Sequence, residues 1–509
     1  MNRSRPFFSK GNRIMYSLTF EQFARIAEPG RLVVLYREIL ADMETPVTAL
    51  AKFSKRPYAF LLESVEGGET WGRYTFLGCD PRAVLTITES GIEILKDGRI
   101  DSFKHNENPL AFLKAAMERY RPVYTGDLPR FYGGAVGYLG YDMARYFETL
   151  PESIPVDPGG NDAVFLLTDT MAVFDRLRNT VKVIASIAVD EGDDLSVLYN
   201  KGIDKIEATI ALLTAENGEV RSCGREKKGD AGLEAEMTAQ DFKDMVGRAK
   251  EYIQAGDVIQ VVLSQRFRKK ADADPVDLYR ALRFINPSPY LFYLKLDRHI
   301  LIGSSPESMV RLEEGTATVR PIAGTRRRGK NEQDDRALAN ELLNDEKEKA
   351  EHIMLVDLGR NDLGRIARTG SVQVTQLMVV ERYSHVMHLV SNIEAQLAPG
   401  KDAFDVIAAT FPAGTLTGAP KVRAMEIIEE LEKSRRGIYG GAVGCIGYGG
   451  DMDLCITIRT IEVNNGNIYV HAGAGIVADS DPAKEFSETV YKAEAMTEAI
   501  RLAAANLRL

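Results

Sequence analysis

The sequence predicts an α+β fold, with strands and helices mixed along a chain of 509 residues. Three observations carry this expectation. Residues 57–189 hold short β-rich stretches, at 83–88, 163–167 and 181–187, set apart by Gly, Pro and Asp turns. Behind Thr238, a suitable N-cap, Phe242, Met245, Val246, Ala249, Tyr252 and Ile253 recur at helical spacing, and a strand-like run at 258–267 follows. Finally, GGAVGYLGY at 133–141 returns as GGAVGCIGY at 440–448, matching at seven of nine positions 307 residues apart. These are either related Gly-rich strands whose backbones approach closely in paired sheets, or two unrelated strand ends.

In chain order, the first residues carry Arg3, Arg5, Lys10 and Arg13 before the first acid, Glu21, without the apolar stretch of a signal peptide. A short disordered arm is expected there. The sheet-rich region runs on to a helix at 203–213. Residues 214–237 are then polar and Gly-rich, with Arg225, Glu226, Lys227 and Lys228 clustered. The chain thus divides into 1–215, a linker at 216–237, and 238–509. Near the end, Asp481 and Pro482 read as the N-cap and first residue of a last helix.

Composition limits the function. A chain about 3.4 times a typical 150-residue domain has room for a large core. Hydrophobic residues make up 45% and charged residues 27%, ordinary for a globular protein. A formal charge of -9 argues against a polyanion binder, so no nucleic-acid partner is expected and any anion site must be local. Cys79, Cys223, Cys445 and Cys455 show no paired-ligand spacing, which argues against a thiolate metal site or disulfide framework and fits a reducing cytoplasm. No run of about 18 apolar residues is present, so no membrane span is expected.

Several segments can carry chemistry. A helix over 346–359 would be apolar nearly all round, with Glu351 at its edge. A carboxylate held there must be paired, protonated or bound to a cation, and a salt bridge to Arg satisfies this as well as a metal does. Glu485, Glu488 and Lys492 share a stripe on the last helix beside Phe486, Val490, Ala493 and Ile500; a plain Glu–Lys pair on a solvated face would explain them too. RPIAGTRRRGK at 320–330 packs five cations into eleven residues, either an exposed basic loop or a place to hold carboxylates. IYVHAGAGIV at 468–477 runs into Gly473 and Gly475; it lacks the βαβ context of a dinucleotide site, yet bare backbone amides suit an oxyanion. His385 and His388 are three apart among apolar residues, each a core histidine or, in an anion pocket, an acid–base group.

PIAGT at 321–325, EHIMLVDLGRNDLGRI at 351–366, TFPAGTLTGAPK at 410–421 and AGAGIVADSDP at 472–482 together resemble the chorismate-utilising enzymes, and among them the large subunits of anthranilate synthases. The similarity spans nearly the whole chain. It implies two large antiparallel sheets packed together with helices outside, and a cleft that takes chorismate and Mg²⁺. Glu351 and Glu488 match the family's metal-binding glutamates. Gly324, Thr325, Tyr439, Arg459, Gly473, Ala474 and Gly475 match its chorismate contacts, and Glu485 is expected to assist the metal through water. Glu307, in SSPES, matches a general acid, and His388 the histidine linked to elimination; His385 lies outside the match and is expected to be structural.

The implied reaction is that of a cytoplasmic lyase in tryptophan biosynthesis. Ammonia adds at C2 as the C4 hydroxyl departs; pyruvate then leaves and the ring becomes aromatic. Sibling enzymes that use lysine as nucleophile or water-activating base carry it where this chain has Ala323 and Gln260, so ammonia is the expected nucleophile. Aminodeoxychorismate synthesis is the alternative. With no amidotransferase domain before Leu509, a separate glutamine amidotransferase subunit is the implied partner. LLES at 61–64, ending in Ser64, together with Pro289, Tyr290 and Leu291, resembles the family's feedback motif and implies an L-tryptophan site.

Overall fold

The computed structural model describes residues 16–64, 72–105, 108–123, 127–155, 160–216, 232–383 and 386–507. The basic N-terminal arm, most of the 216–237 linker, Cys223 and His385 lie outside the described residues.

Two large sheets form the fold, of thirteen and twelve strands among the described residues. Their strands pair antiparallel except where Arg31–Leu40 meets Arg121–Val123. In the larger sheet the order is Gln260–Lys270, Asn467–Ile476, Thr460–Asn464, His299–Ser305 and Tyr290–Leu296, then Tyr58–Glu63, Tyr74–Cys79, Thr170–Asp175, Thr180–Ala188 and Arg31–Leu40. The second five repeat the first in reverse. The smaller sheet is laid out the same way about the pair Ala442–Gly447 and Gly134–Leu139. Both sheets therefore contain strands from either side of the 216–237 linker.

This layout resolves the sequence echo. The two Gly-rich segments are neighbouring strands at the centre of the smaller sheet, with Gly137 opposite Gly444. A Cβ on Gly137 would stand 2.0 Å from the Val164 carbonyl oxygen, so only glycine admits the approach of the next strand. Leu85, Val136, Phe165, Val310 and Leu454 bury the space between the sheets with Phe60 and Leu301. A second core, with Leu50, Phe53, Leu278 and Met496 set against Val33, Leu61, Ile302 and Ile468, lies under the helices that cover the larger sheet. Burial of such side chains is worth roughly 1.5–3 kcal/mol each, enough to fix helix positions.

Local signals set the helix ends. Thr238 caps Ala239–Ala255 and Asp481 caps Pro482–Ala504, as the sequence predicts. The helix expected at 203–213 begins earlier, at Leu195, because the Asp194 carboxylate accepts from the amides of Ser196 and Val197. Two faces differ from expectation. Ile353 is 49% exposed on the helix Glu346–Gly364, which therefore has one wet face, and Val490 is exposed on the last helix, whose buried stripe runs through Thr489, Ala493, Met496 and Ile500.

Candidate active site

A cleft of about 350 Å³ is walled by strands of both sheets and by two helices. Gln260–Lys270 and Asn467–Ile476 contribute Gln260, Val262, His471, Gly473 and Gly475. From the smaller sheet come Ala323, Thr325 and His388, from Glu346–Gly364 come Lys347, Glu351 and Leu355, and from Pro482–Ala504 come Glu485, Glu488 and Lys492. Glu307, Thr415, Tyr439 and Arg459 complete the wall.

Three carboxyl groups define one part of the cleft. Burial raises the Glu351 carboxyl above its ordinary range, and Glu348 adds to the rise. Glu485 is raised as well, by burial and by Glu488, against the pull of Ser480 and of the lysines. Lys347 and Lys492 act on both groups, which places the two helices' carboxylates in one electrostatic neighbourhood. Lys492 Nζ lies 2.7 Å from Glu488 Oε1 and donates to the Gly473 carbonyl at 3.0 Å. Among the described residues no group of three or more His, Cys, Asp or Glu side chains is arranged to hold a metal ion by itself. Glu351 and Glu488, two glutamates from separate helices lining one cleft, have the chemistry for a hard cation that keeps most of its waters. The raised carboxyl groups of Glu351 and Glu485 are the electrostatic condition that such a cation relieves.

A different part suits anions. Arg459 sits in left-handed backbone, φ 51°, uncommon for a residue with a side chain and a mark of local strain. Burial lowers its guanidinium pKa, and it has no carboxylate partner among the described residues, so a ligand anion would meet an uncompensated charge. Tyr439 is buried next to it, its ring tilted 30° against that of His471 with centroids 5.1 Å apart. A Cβ on Gly473 would lie 2.6 Å from the Tyr439 hydroxyl, so glycine keeps the backbone open to the cleft.

Two groups can move protons. Glu307 is buried, and burial pushes its carboxyl up to about 7, with the nearby Thr415 hydroxyl and Lys492 ammonium opposing the rise. It can therefore hold a proton at neutral pH. His388 Nδ1 lies 2.9 Å from the Gly324 carbonyl and 3.1 Å from Thr325 Oγ1. A carbonyl only accepts, which assigns the proton to Nδ1 and leaves a lone pair on Nε2. Burial lowers the imidazole pKa, keeping the ring neutral.

Most sequence-predicted residues thus meet in one place. Glu307, Thr325, Glu351, His388, Tyr439, Arg459, Gly473, Gly475 and Glu488 all line the cleft. Two do not. Ala474 alternates away from the glycines and packs with Val261, Leu263 and Ile476, and Gly324 stands behind the wall, serving through its carbonyl. The basic segment at 320–330 also departs from an anion-holding role. Arg320 is paired with Glu381, Arg326 with Glu341, Asp345 and Glu348, and Arg328 with Asp335, so these guanidinium groups hold neighbouring elements together. Sequence reading missed Lys347, Thr415 and His471. For His471 a signal existed, since it shares strand alternation with Gly473 and Gly475.

A second pocket of about 110 Å³ lies across the seam between the halves of the chain. Ser64, Pro289, Tyr290 and Leu291 line it with Tyr74, Phe76, Val443 and Cys455, an apolar wall drawn from both sheets. At one side, the Tyr290 hydroxyl donates to Asp453 Oδ1 at 3.0 Å. Among the described residues no helix is long and apolar enough to cross a membrane.

Residues 59–498 match the chorismate binding enzyme family. Anthranilate synthase component 1 of Aquifex aeolicus (strain VF5) is 47% identical over 489 residues, covering 96% of this chain and 98% of that protein. The component 1 of Pseudomonas putida is 47% identical over 491 residues, 95% of this chain and 98% of its own. The crystal structure of anthranilate synthase component I from Streptococcus pneumoniae TIGR4 superimposes with a TM-score of 0.72 at 37% identity, covering 85% of this chain and 94% of that one. With its signature segments gathered around a single cleft, the chain belongs to the chorismate-binding enzymes.

Proposed function

We propose that the chain is the synthase component of an anthranilate-forming lyase, converting chorismate and ammonia to anthranilate and pyruvate at the first step from chorismate toward L-tryptophan. The observation that carries this reading is the meeting of Glu351 and Glu488, 137 positions apart, in the cleft that also holds Arg459, Glu307 and His388. Mg²⁺ held by Glu351 and Glu488, with Glu485 assisting through water, would supply positive charge for a substrate carboxylate. Arg459 and Tyr439 would bind the remaining carboxylate, with the Gly473 and Gly475 backbone close against the ring.

Glu307 gives its proton to the C4 hydroxyl as that group leaves and the amine bonds to C2. His388, fixed through Nδ1, then presents Nε2 to take the C2 proton as the enolpyruvyl group departs and the ring becomes aromatic. Ammonia as the amine is supported at positions 260 and 323, where an amide and a methyl group stand in the cleft in place of a lysine. The relatives' designation as component 1 accords with a partner component, which we read as a glutamine amidotransferase that supplies ammonia. We further read the 110 Å³ pocket as the L-tryptophan site, its apolar wall suited to an indole.

The test is product formation by the full chain from chorismate, Mg²⁺ and ammonium, followed as anthranilate fluorescence. A 4-amino product, or none, overturns the reading. Isothermal titration with L-tryptophan checks the second site, and absence of binding removes that assignment alone.

A further inference from the structure

Glu307, Leu355 and Thr415 line not only the main cleft but also a smaller cavity of about 30 Å³ behind it, so together they form the partition between the two, Glu307 and Thr415 giving it its polar side chains. The rear cavity is bounded by Leu358, Asp362, Ala413 and Ile456. A space of this size holds one or two waters where polar partners exist. Such partners are present. The Thr415 hydroxyl oxygen is buried and meets no partner in full hydrogen-bond geometry, although it stands close enough to Glu307 to favour the ionised carboxylate. A buried hydroxyl left so is costly unless a water completes its bonding.

We propose that Thr415 is a positioning residue for the proton donor: its hydroxyl and a rear-cavity water together hold the Glu307 carboxyl toward the cleft, and that water returns the proton Glu307 gives away. The inference rests on the proton-donor reading of Glu307. In the step itself the C4–O bond breaks, the leaving oxygen takes the carboxyl proton and departs as water, and Glu307 remains a carboxylate. The ring fills the front of the cleft, so the carboxylate is reprotonated from behind. Its proton comes from the rear water, which is restored from solvent past the half-buried Val319, Arg320 and Leu358. The overall balance closes because the amine loses one proton on forming the C2–N bond.

The charged groups around Glu307 leave this route to water. Lys492 acts on it from the cleft side and is held by Glu488. On the rear wall, Asp362 is bound by Lys421 at 2.7 Å, and Arg320 is paired with Glu381. Each rear cation is already engaged by a carboxylate.

Thr415→Val keeps the side-chain shape and removes the hydroxyl, and Thr415→Ser restores it. With chorismate and ammonium, Thr415→Val should lower kcat by about 10- to 100-fold while KM stays within about threefold, since a positioned proton donor is worth about 10²- to 10⁴-fold in all. The alkaline limb of its pH profile should move to higher pH, because the hydroxyl that favours the carboxylate is gone; Thr415→Ser should recover both. Ala413→Leu, which fills the rear cavity, should lower kcat without changing KM. If both Thr415→Val and Ala413→Leu keep normal kcat and pH profile while Glu307→Gln is inactive, the positioning role and the rear water are refuted and the donor stands. A change in KM alone would make Thr415 a substrate contact instead. Full turnover by Glu307→Gln would overturn the donor reading itself.

Discussion

Strands before residue 215 and strands after 238 occupy mirrored places in both sheets, yet they line surfaces of different kinds. Asn467–Ile476 offers His471, Gly473 and Gly475 to the cleft. Its counterpart Thr180–Ala188 sends Val181, Val183, Ala185 and Ile187 under the helices and fills the cleft-equivalent face with Lys182, Ile184 and Ser186, all buried. The helices differ likewise. Pro482–Ala504 brings Glu485 and Glu488 to the wall, while Leu195–Thr214 packs Gly202, Ile206 and Leu213 against its sheet. One backbone layout thus supports either a closed wall, where Ile184 is packed and Lys182 and Ser186 donate to the Asp127 and Tyr132 carbonyls, or an open cleft, where Gly473 and Gly475 leave the space free. The second pocket draws on both halves, with Leu62, Tyr74 and Phe76 from one and Tyr290, Val443 and Cys455 from the other. A ligand there would touch the strands that lead to Arg459 and Tyr439, the contact through which the proposed effector site would act on the cleft.

The largest expected effect tests whether chemistry is confined to the C-terminal half. Glu351→Gln or Glu488→Gln should cut turnover by about 100-fold or more, as loss of a ligand exceeds the 10- to 100-fold typical of its supporting groups. On the mirrored helix, Glu207 binds Arg37 at 2.6 Å, and Glu207→Gln should leave turnover within about twofold. Steady-state anthranilate fluorescence decides. Equal losses on both helices would break the contrast.

Next in size, Glu307→Gln should lower kcat by about 10²- to 10⁴-fold. With Glu307 as the proposed donor the protonated form is the active one, so kcat of the parent should fall as pH rises through about 7. Stability carries the same sign. A carboxyl raised from 4.5 to about 7 stabilises the fold below its unfolded pKa, and this contribution is lost as pH climbs through the folded value. Thermal melts of Glu307→Gln should therefore depend less on pH between 4.5 and about 7 than those of the parent. A parallel pH dependence in both proteins would rule out a buried proton at this site.

The residues that line this cleft were more legible than its framework. Thr238, Asp481 and Pro482 mark helix starts by their own hydrogen-bonding habits, and the structure uses them so. The repeated glycine segment announced a close approach, since only bare backbone tolerates it. What composition and spacing could not disclose is tertiary: which strands of one half lie beside the other, and that Thr415 shares a wall with Glu307. Long-range sheet pairing leaves no local periodicity. The arginines at 320–330 misled for the same reason, because their partners Glu341, Asp345 and Glu381 are brought to them only by folding. Ala474 fell in a matching motif, but period-2 alternation sends its methyl group into the core.

A smaller effect probes the bare backbone of the cleft. Gly473→Ala would bring a methyl group to 2.6 Å from the Tyr439 hydroxyl and 2.8 Å from the Leu263 carbonyl oxygen. Displacing the tyrosine weakens substrate binding before chemistry, so KM should rise by about tenfold with kcat changed less. A loss confined to kcat would place the glycine in proton transfer or turnover instead.

The smallest effect on catalysis, and the sharpest test of the seam, comes from Tyr290→Phe. The Tyr290 hydroxyl is the donor that satisfies Asp453, whose buried carboxyl is already raised by desolvation and eased by Arg311 and by this bond. Removing the donor raises the carboxyl further and loosens the polar end of the pocket while leaving its apolar wall in place. With the polar end of the pocket so altered, inhibition by L-tryptophan proposed for this pocket should weaken by about tenfold. Uninhibited turnover should stay within about twofold, because Tyr290 lies outside the cleft. Dose–response curves for the parent and Tyr290→Phe separate the cases. If turnover and inhibition fall together, the pocket and the cleft are one cooperative unit and the seam does not divide them; if inhibition is untouched, the effector binds elsewhere.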